Sequence, residues 1–491
     1  MKYYSTRDNS KCVDAAQAIA CGLAPDGGLF VPECIPEVTE DALHAMRMLS
    51  TYQERAAYIM KRYLEDFTTE ELNAFVQRAY GDNFDDAKIA PVHELDEATS
   101  FLELWHGPTC AFKDMALQML PHLLTASLKK CGEKRSVCIL VATSGDTGKA
   151  ALAGFADVPN TKICVFYPKD GVSDIQRLQM VTQSGKNVHV CAVEGNFDDA
   201  QTGVKAIFSD TDFAAKLDYR NWFLSSANSI NWGRLLPQIA YYFSAYCDMV
   251  SAGRVKLGEP VNFVVPTGNF GNILAGWYAK QMGLPVARLI CASNENNVLT
   301  DFIQTGVYDR NRTFHTTISP SMDILISSNL ERLLYMLCKN PEQVRGYMDS
   351  LKQTGRYTVS DEIRAAVQAE FSAGFCDDTR TKQAISRVFT EHGYLMDSHT
   401  AVAYQVLCDY REQTDDQTPA VVVSTASPFK FAADVLEALG AKAGADPLAE
   451  LSDAAAMPVP KPLARLNHLK VRFSGAVAKE EMEREVERFV R

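Results

Sequence analysis

The 491-residue chain contains no internal repeat, no low-complexity tract, no long block of Lys and Arg, and no apolar run long enough to span a bilayer. Its 13 cysteines include no C-x-x-C pair. The nearest two, Cys131 and Cys138, stand too far apart for a metal knuckle, so the spacing offers neither a zinc ribbon nor a disulfide framework. Scattered thiols of odd number read instead as reduced, cytoplasmic cysteines. Residues Met1–Asp8 carry no apolar core of a leader, and no secretory signal is expected there. With 49 basic against 61 acidic residues the net charge is −12, which makes nucleic acid and acidic membrane surfaces poor partners. An anion bound by such a chain has to be held in a local pocket of donors.

What is present is an ordinary globular balance, 47% hydrophobic and 22% charged. The length fits about three domains of typical size. Residues 1–95 are expected to form a mainly helical unit, because Asp41–Leu49 and Thr69–Tyr80 place apolar residues at three- and four-residue intervals. Between them, Gly22–Pro32 carries Pro25-Asp26-Gly27-Gly28 turn chemistry and then a short apolar strand candidate. From about residue 96 the pattern changes. Strand candidates at Val137–Ala142, Ile163–Tyr167, Val188–Val193, Val261–Val265, Ala287–Ala292 and Ala420–Thr425 alternate with helical stretches. The helices are expected at Asp114–Lys130, Gly148–Asp157, Asp199–Ser209, Trp232–Val250 and Asn272–Met282. This alternation predicts an α/β region of parallel sheets flanked by helices, with enough chain over residues 96–450 for two lobes. Residues 451–491 form a C-terminal extension whose last stretch, Lys479–Arg491, is expected as a charged, solvated amphipathic helix.

Four segments at strand–helix junctions carry the chemistry, where open α/β sheets place their ligands. In His106-Gly107-Pro108-Thr109-Cys110-Ala111-Phe112-Lys113-Asp114, Lys113 lies among apolar residues at the start of a helix. Burial favours the neutral amine, a nucleophile toward an aldehyde; a lone lysine there is otherwise an ordinary surface residue. The second segment, Ala142-Thr143-Ser144-Gly145-Asp146-Thr147-Gly148-Lys149, resembles a Walker loop only superficially, since Thr143 stands where the leading glycine belongs and Ala150 where Ser or Thr belongs. What is left is a hydroxyl-rich helix start, suited to a carboxylate or simply to capping.

Val264-Val265-Pro266-Thr267-Gly268-Asn269-Phe270-Gly271-Asn272 runs from a strand through two glycines into a helix, so backbone amides can close around a phosphate at the helix start. Ser225–Arg234 gathers amides, hydroxyls and Arg234 between a strand and a long helix, a place for a second oxyanion or for a plain polar loop. Together the four describe a pocket for an aldehyde cofactor bearing a phosphate and for a phosphorylated amino acid.

These residues resemble the threonine synthases, members of the tryptophan-synthase-like (type II) pyridoxal-phosphate (PLP) fold. His106–Asp114 matches H-G-P-T-x-A-F-K-D, Gly268–Asn272 matches G-N-F-G-N and Asn228–Arg234 matches N-S-I-N-x-x-R. Gly22–Pro32, Ser319–Ile324 and Ser424–Phe431 are further matching segments, so the resemblance runs along most of the chain. It implies a two-lobed catalytic region with an N-terminal domain, and Lys113 as Schiff-base lysine and proton shuttle. It also implies PLP-phosphate contacts from Gly268, Asn269, Phe270, Gly271 and Asn272, and a hydrogen bond from Thr425 to the pyridine nitrogen. Ser144 and Thr147 are implied for the substrate carboxylate, with Thr143 as a helper. Asn228, Ser229 and Arg234 are implied for the substrate phosphate. Asp146 is expected as a cofactor contact near the 3′-oxygen, where many relatives of this fold carry Asn.

The implied reaction converts O-phospho-L-homoserine and water to L-threonine and phosphate, by γ-elimination and β-addition, with no metal and no obligate protein partner. The competing readings are a threonine or serine dehydratase, or a phosphohomoserine lyase of the same fold. A non-catalytic binding module is the rival from another class. A second phosphate cradle separates the first of these, since a dehydratase substrate has no phosphate.

Overall fold

The computed structural model describes residues 1–170 and 172–491. Two open sheets dominate it. The larger runs in the order Phe371–Phe375, Val286–Ser293, Val261–Pro266, Ala420–Ser424, Thr99–Glu103, Val92–Glu94, parallel except for the last pair. The smaller is all-parallel in the order Ala476–Val477, Val188–Val193, Thr161–Pro168, Ser136–Ala142, Trp222–Ser226. Their central strands are largely apolar and mostly buried on both faces, the composition a helix-covered parallel sheet requires.

Most expected strands fall where the β-branched runs put them, within a residue or two. Thr99–Glu103 and Phe371–Phe375 were not among the candidates, and both lie in the larger sheet. The expected helix over Asp114–Lys130 is two helices, Lys113–Leu117 and Leu120–Lys130, broken just before Pro121, which sits in the first turn of the second.

The N-terminal unit contains helices Glu40–Arg47, Tyr52–Tyr63 and Thr69–Ala79, the last two opened by full capping boxes from Thr51 with Glu54 and Thr68 with Glu71. It also holds a three-stranded antiparallel sheet, Cys12–Asp14 with Lys2–Ser5 and Phe30–Pro32, which periodicity in helical steps does not register. A cluster of Tyr3, Tyr63, Trp232 and Tyr278 rings, with centroids 5.5–6.4 Å apart, packs this unit onto the long helix Trp232–Ser251.

The terminal helix is shorter than expected and not solvated all round. Met482, Val486 and Val490 on the helix Met482–Val490 are buried, and a Cβ on Gly203 would meet the Met482 sulfur at 2.2 Å. The charged residues occupy the outer face, while the apolar stripe covers the helix Phe197–Ser209 beside the smaller sheet.

Candidate active site

Strands of both sheets point their C-terminal ends at one place. Residues 143–145 leave Ser136–Ala142, 227–231 leave Trp222–Ser226, 267–270 leave Val261–Pro266, and 425–427 leave Ala420–Ser424. Parallel order puts all such ends on one edge of each sheet, and the contact between Asp146 and Lys430 joins the two edges.

Lys113 opens its helix from a segment sewn to the end of Ala420–Ser424. Phe112 N–H donates to the Thr425 carbonyl (2.8 Å), Ser427 N–H donates to the Cys110 carbonyl (3.1 Å), and Ala111 bridges Ala426. Asp114 fastens the turn from inside, accepting from Thr109 N–H and hydroxyl at 2.8 Å each. Burial nevertheless pushes the Asp114 carboxyl up to about 6. Gly107 has no room for a side chain, because a Cβ would lie 2.6 Å from Asp114. The Lys113 amine donates to the Ser321 hydroxyl at 3.4 Å. Burial pulls it down to about 8, Arg234 and Lys430 push the same way, and Asp146 opposes them.

The loop after Ser136–Ala142 is braced by Thr143, whose hydroxyl accepts from the N–H groups of Gly145 and Gly148 at 3.0 Å each. Thr143 thus braces the loop on which Ser144, Asp146 and Thr147 stand. The hydroxyls of Ser144 and Thr147 make no hydrogen bond to protein among the described residues and are partly accessible. Asp146 starts the helix Asp146–Phe155, where its carboxylate meets the Lys430 ammonium at 2.6 Å and the Gln176 amide at 2.9 Å. Burial alone would raise this carboxyl, but Lys430, Lys113 and the bonds from Lys430 and Gln176 hold it well below the usual carboxylate range.

Gly268–Asn272 wraps the start of the helix Gly271–Gln281. Phe270 takes a left-handed φ of 61° to turn the chain in. A Cβ on Gly268 would sit 2.8 Å from the Ser321 carbonyl, so only glycine lets the loop pass. Tyr241 and Tyr242 both donate to Asn272 Oδ1 (2.6 and 2.7 Å), which fixes the amide orientation and leaves the buried Nδ2 with no protein partner among the described residues.

Arg234, 4% exposed, donates from Nη1 to the Ala227 carbonyl at 2.8 Å, while its Nε is buried without a partner among the described residues. Among the described residues no carboxylate pairs with it, and burial pulls the guanidinium down to about 10. The side chains of Asn228 and Ser229 make no hydrogen bond to protein among the described residues, whereas Asn231 is spent on capping, accepting from Gly233 N–H (2.8 Å) and donating to the Ile19 carbonyl (3.0 Å).

Several residues that shape the pocket drew no attention in the sequence. Lys430 lay inside the matching segment Ser424–Phe431 with no role of its own, and Gln176 was not singled out. Asn329 grips the Asn269 carbonyl (3.1 Å) and accepts from Arg332, which also donates to the carbonyls of Phe30 (2.9 Å), Ser229 and Ile230. This fully buried arginine ties both phosphate-loop candidates to the N-terminal unit. Ser319–Ile324, for which the sequence offered no physical role, supplies Ser321, with its N–H donated to His399 Nε2 at 3.1 Å. His399 in turn faces Asp397 at 2.8 Å, so its Nδ1 carries the proton.

Residues 2–80 match the family Threonine synthase N terminus, 91–427 Pyridoxal-phosphate dependent enzyme, and 400–490 Threonine synthase, C-terminal. The threonine synthase of Pseudomonas aeruginosa is 40% identical over 436 residues, covering 88% of this chain and 89% of that protein. The chain belongs to the threonine synthase family.

Threonine synthase-like 1 of Homo sapiens is also similar, 42% identical over 440 residues; these cover 87% of the chain but 58% of the human protein, which is considerably longer. The family's solved structures carry the same fold: the PLP-bound threonine synthase of Brucella melitensis aligns at a TM-score of 0.88 and 37% identity, covering 100% of both chains. The pocket of this family member fits such a cofactor on its own geometry. A phosphate has the Gly268–Gly271 amides and the orphaned Asn272 Nδ2 to receive it, an aldehyde has the depressed Lys113 amine, and Arg234 is left over for a second anion.

Proposed function

We propose that the chain converts O-phospho-L-homoserine and water to L-threonine and phosphate, with Lys113 as the Schiff-base lysine that carries PLP. The observation that supports this reading above a dehydratase is Arg234: a buried guanidinium without a carboxylate partner among the described residues, close enough to Lys113 to influence its charge. A dehydratase substrate carries no phosphate to pair with it. Bound PLP supplies the electron sink that makes protons on the substrate's α- and β-carbons removable.

The protein does the rest. Gly268, Asn269, Phe270, Gly271 and Asn272 hold the cofactor phosphate, and Thr425 donates its hydroxyl to the ring nitrogen. Ser144 and Thr147 bind the substrate carboxylate at the start of their helix. Asn228, Ser229 and Arg234 hold the substrate phosphate, which orients the γ-carbon for loss of that group. The Lys113 amine would take up and return protons beside the substrate's carbons; an amine near 8 can do both close to neutral pH. Asp146 stands at the pocket edge as the contact toward the 3′-oxygen.

Residues 1–95 act as the unit that braces the phosphate loops, with their last strand, Val92–Glu94, already paired in the larger sheet; 96–450 act as the catalytic region, and 451–491 as an extension closing the smaller sheet. The cytoplasm is the proposed location, supported by thirteen free cysteines and by the absence, among the described residues, of any helix long and apolar enough to cross a membrane. A small-molecule substrate suffices, and the site calls for no protein partner.

The test is phosphate release from O-phosphohomoserine by the PLP-loaded protein, with the organic product identified. Threonine with stoichiometric phosphate is expected. Release of 2-oxobutanoate instead would make the protein a lyase, and no release at all would remove the assignment.

A further inference from the structure

Lys430 lies in the turn Pro428–Phe431, just beyond the strand Ala420–Ser424, and is 1% exposed. Its ammonium meets Asp146 Oδ1 at 2.6 Å and donates to the Thr109 carbonyl at 2.9 Å. Gln176 reaches the same carboxylate oxygen (2.9 Å) and Gln179 the same carbonyl (3.2 Å). Gln176 is itself wedged against Gly145, where a Cβ would come within 2.6 Å of its amide. One buried ammonium thus joins the loop that carries Asp146, the turn that carries Lys113, and the end of a central strand of the other sheet.

Stability gives a poor reason for such a pair. Two charges taken out of water lose hydration that their attraction barely restores, and apolar replacements for buried pairs are often neutral or stabilising. An uncharged amide at position 146 would also accept from Gln176 without needing a counter-ion. The pair makes sense where the charges themselves are used.

We propose that Lys430 is a positioning residue for the chemistry of Lys113: it holds Asp146 as a paired carboxylate at the pocket edge and thereby fixes the charge that the Lys113 amine faces. The inference rests on the reading above, in which Lys113 carries the cofactor.

The groups involved can be enumerated. Lys113 faces Asp146, Arg234 and Lys430, with the Ser321 hydroxyl as hydrogen-bond partner. Asp146 faces Lys430, Lys113 and Gln176. Behind Lys430 stand Asp114, Lys149 and the Cys110 thiol, with Arg465 beyond Lys149. Removing Lys430 takes a cation away from Lys113 and unpairs Asp146, and both changes make Lys113 hold its proton more tightly. Removing the charge of Asp146 has the opposite sign. Removing both leaves Lys113 facing nearly the same net charge as before.

The experiment adds pyridoxal 5′-phosphate to cofactor-free protein and follows, against pH, the rate at which visible absorbance grows, with borohydride trapping and peptide mass locating the label. In the unsubstituted protein the rate rises through a midpoint near 8, as the Lys113 amine loses its proton. Lys430→Met is expected to move the midpoint up by about one unit or more. Asp146→Asn moves it down, Lys430→Arg leaves it in place, and Asp146→Asn with Lys430→Met returns it toward the starting value.

Melting of the cofactor-free variants supplies a second readout. Asp146→Asn, which strands a buried ammonium, should melt lower than the double variant. An unmoved midpoint in Lys430→Met with Lys113 still labelled would show that Lys430 only fills space, and overturn the proposal. If Lys430→Met does not fold, the double variant decides: a midpoint equal to that of Asp146→Asn overturns it equally. Failure of Lys113 to become labelled in the unsubstituted protein at any pH would instead remove the reading on which the inference depends.

Discussion

Replacing Arg234 by methionine separates the two anion sites. Met keeps most of the side-chain length and removes the charge, its free Nε and the bond from Nη1 to the Ala227 carbonyl. A charge-assisted hydrogen bond to phosphate contributes about 1.5–3 kcal/mol, so substrate and inorganic phosphate should bind roughly 10- to 150-fold more weakly. The folded protein should not suffer in proportion. The guanidinium has no carboxylate partner among the described residues, and burial already pulls it down to about 10. Losing it therefore removes an unfavourable burial that offsets the orphaned Ala227 carbonyl, worth about 1–3 kcal/mol.

The assay pairs calorimetric titration with phosphate, the KM for O-phosphohomoserine, cofactor occupancy by absorbance, and melting of the cofactor-free protein. Weak phosphate binding with normal PLP occupancy and an unchanged or higher melting temperature is the expected pattern. Lost PLP with intact phosphate affinity would show the cradles reversed, and a lower melting temperature with unchanged affinities would make Arg234 a structural residue.

Borohydride treatment of the yellow PLP-loaded protein should place the pyridoxyl label on Lys113; a label on Lys149, another lysine pulled down to about 8 by burial, would displace the assignment. Gly268→Ala puts a methyl group 2.8 Å from the Ser321 carbonyl, and cofactor affinity is expected to drop at least tenfold, about 1.4 kcal/mol; unchanged PLP binding would mean the loop is not the cradle. Met482→Ala, in the terminal helix, should cost about 2–5 kcal/mol in urea unfolding. If that helix were solvated the change would lie within about 0.5 kcal/mol. Thr425→Val should retain the Lys113 linkage and slow exchange of the substrate's α-proton in heavy water, and an unaltered exchange rate would place Thr425 away from the ring.

The pocket loops were legible because each is a short run of Gly, Ser, Thr or Asn at the end of a β-branched strand, and the parallel order of those strands then gathers the loops. Lys430 was not legible. Phe429-Lys430-Phe431 contains no pattern that distinguishes a buried ammonium from an exposed one, and its partner Asp146 is 284 positions away. Thr99–Glu103 escaped for a related reason, since a strand buried on both faces lacks the alternation that marks a half-exposed one. At the C-terminus the error was one of weighting: the charges of Lys479–Arg491 outnumber its apolar residues, yet three apolar positions four residues apart are enough for a buried stripe. Arg332 and Asn329 could be found only by following hydrogen bonds, because they act through backbone carbonyls that carry no sequence identity.

The place of Ala420–Ser424 between Val261–Pro266 and Thr99–Glu103 has a consequence for how the protein comes into being. Four strands of the smaller sheet lie within residues 136–226 and can pair while the ribosome is still making the remainder. The larger sheet has no such freedom. Two of its apolar strands must wait with open edges until the strand that joins them has been synthesised, about 15–60 seconds after residue 136 at ordinary elongation rates. Unpaired apolar edges of that kind are where nascent chains associate wrongly. A nascent chain of this protein is therefore most in need of a chaperone between the synthesis of residues 266 and 420, when half of its catalytic pocket is already shaped.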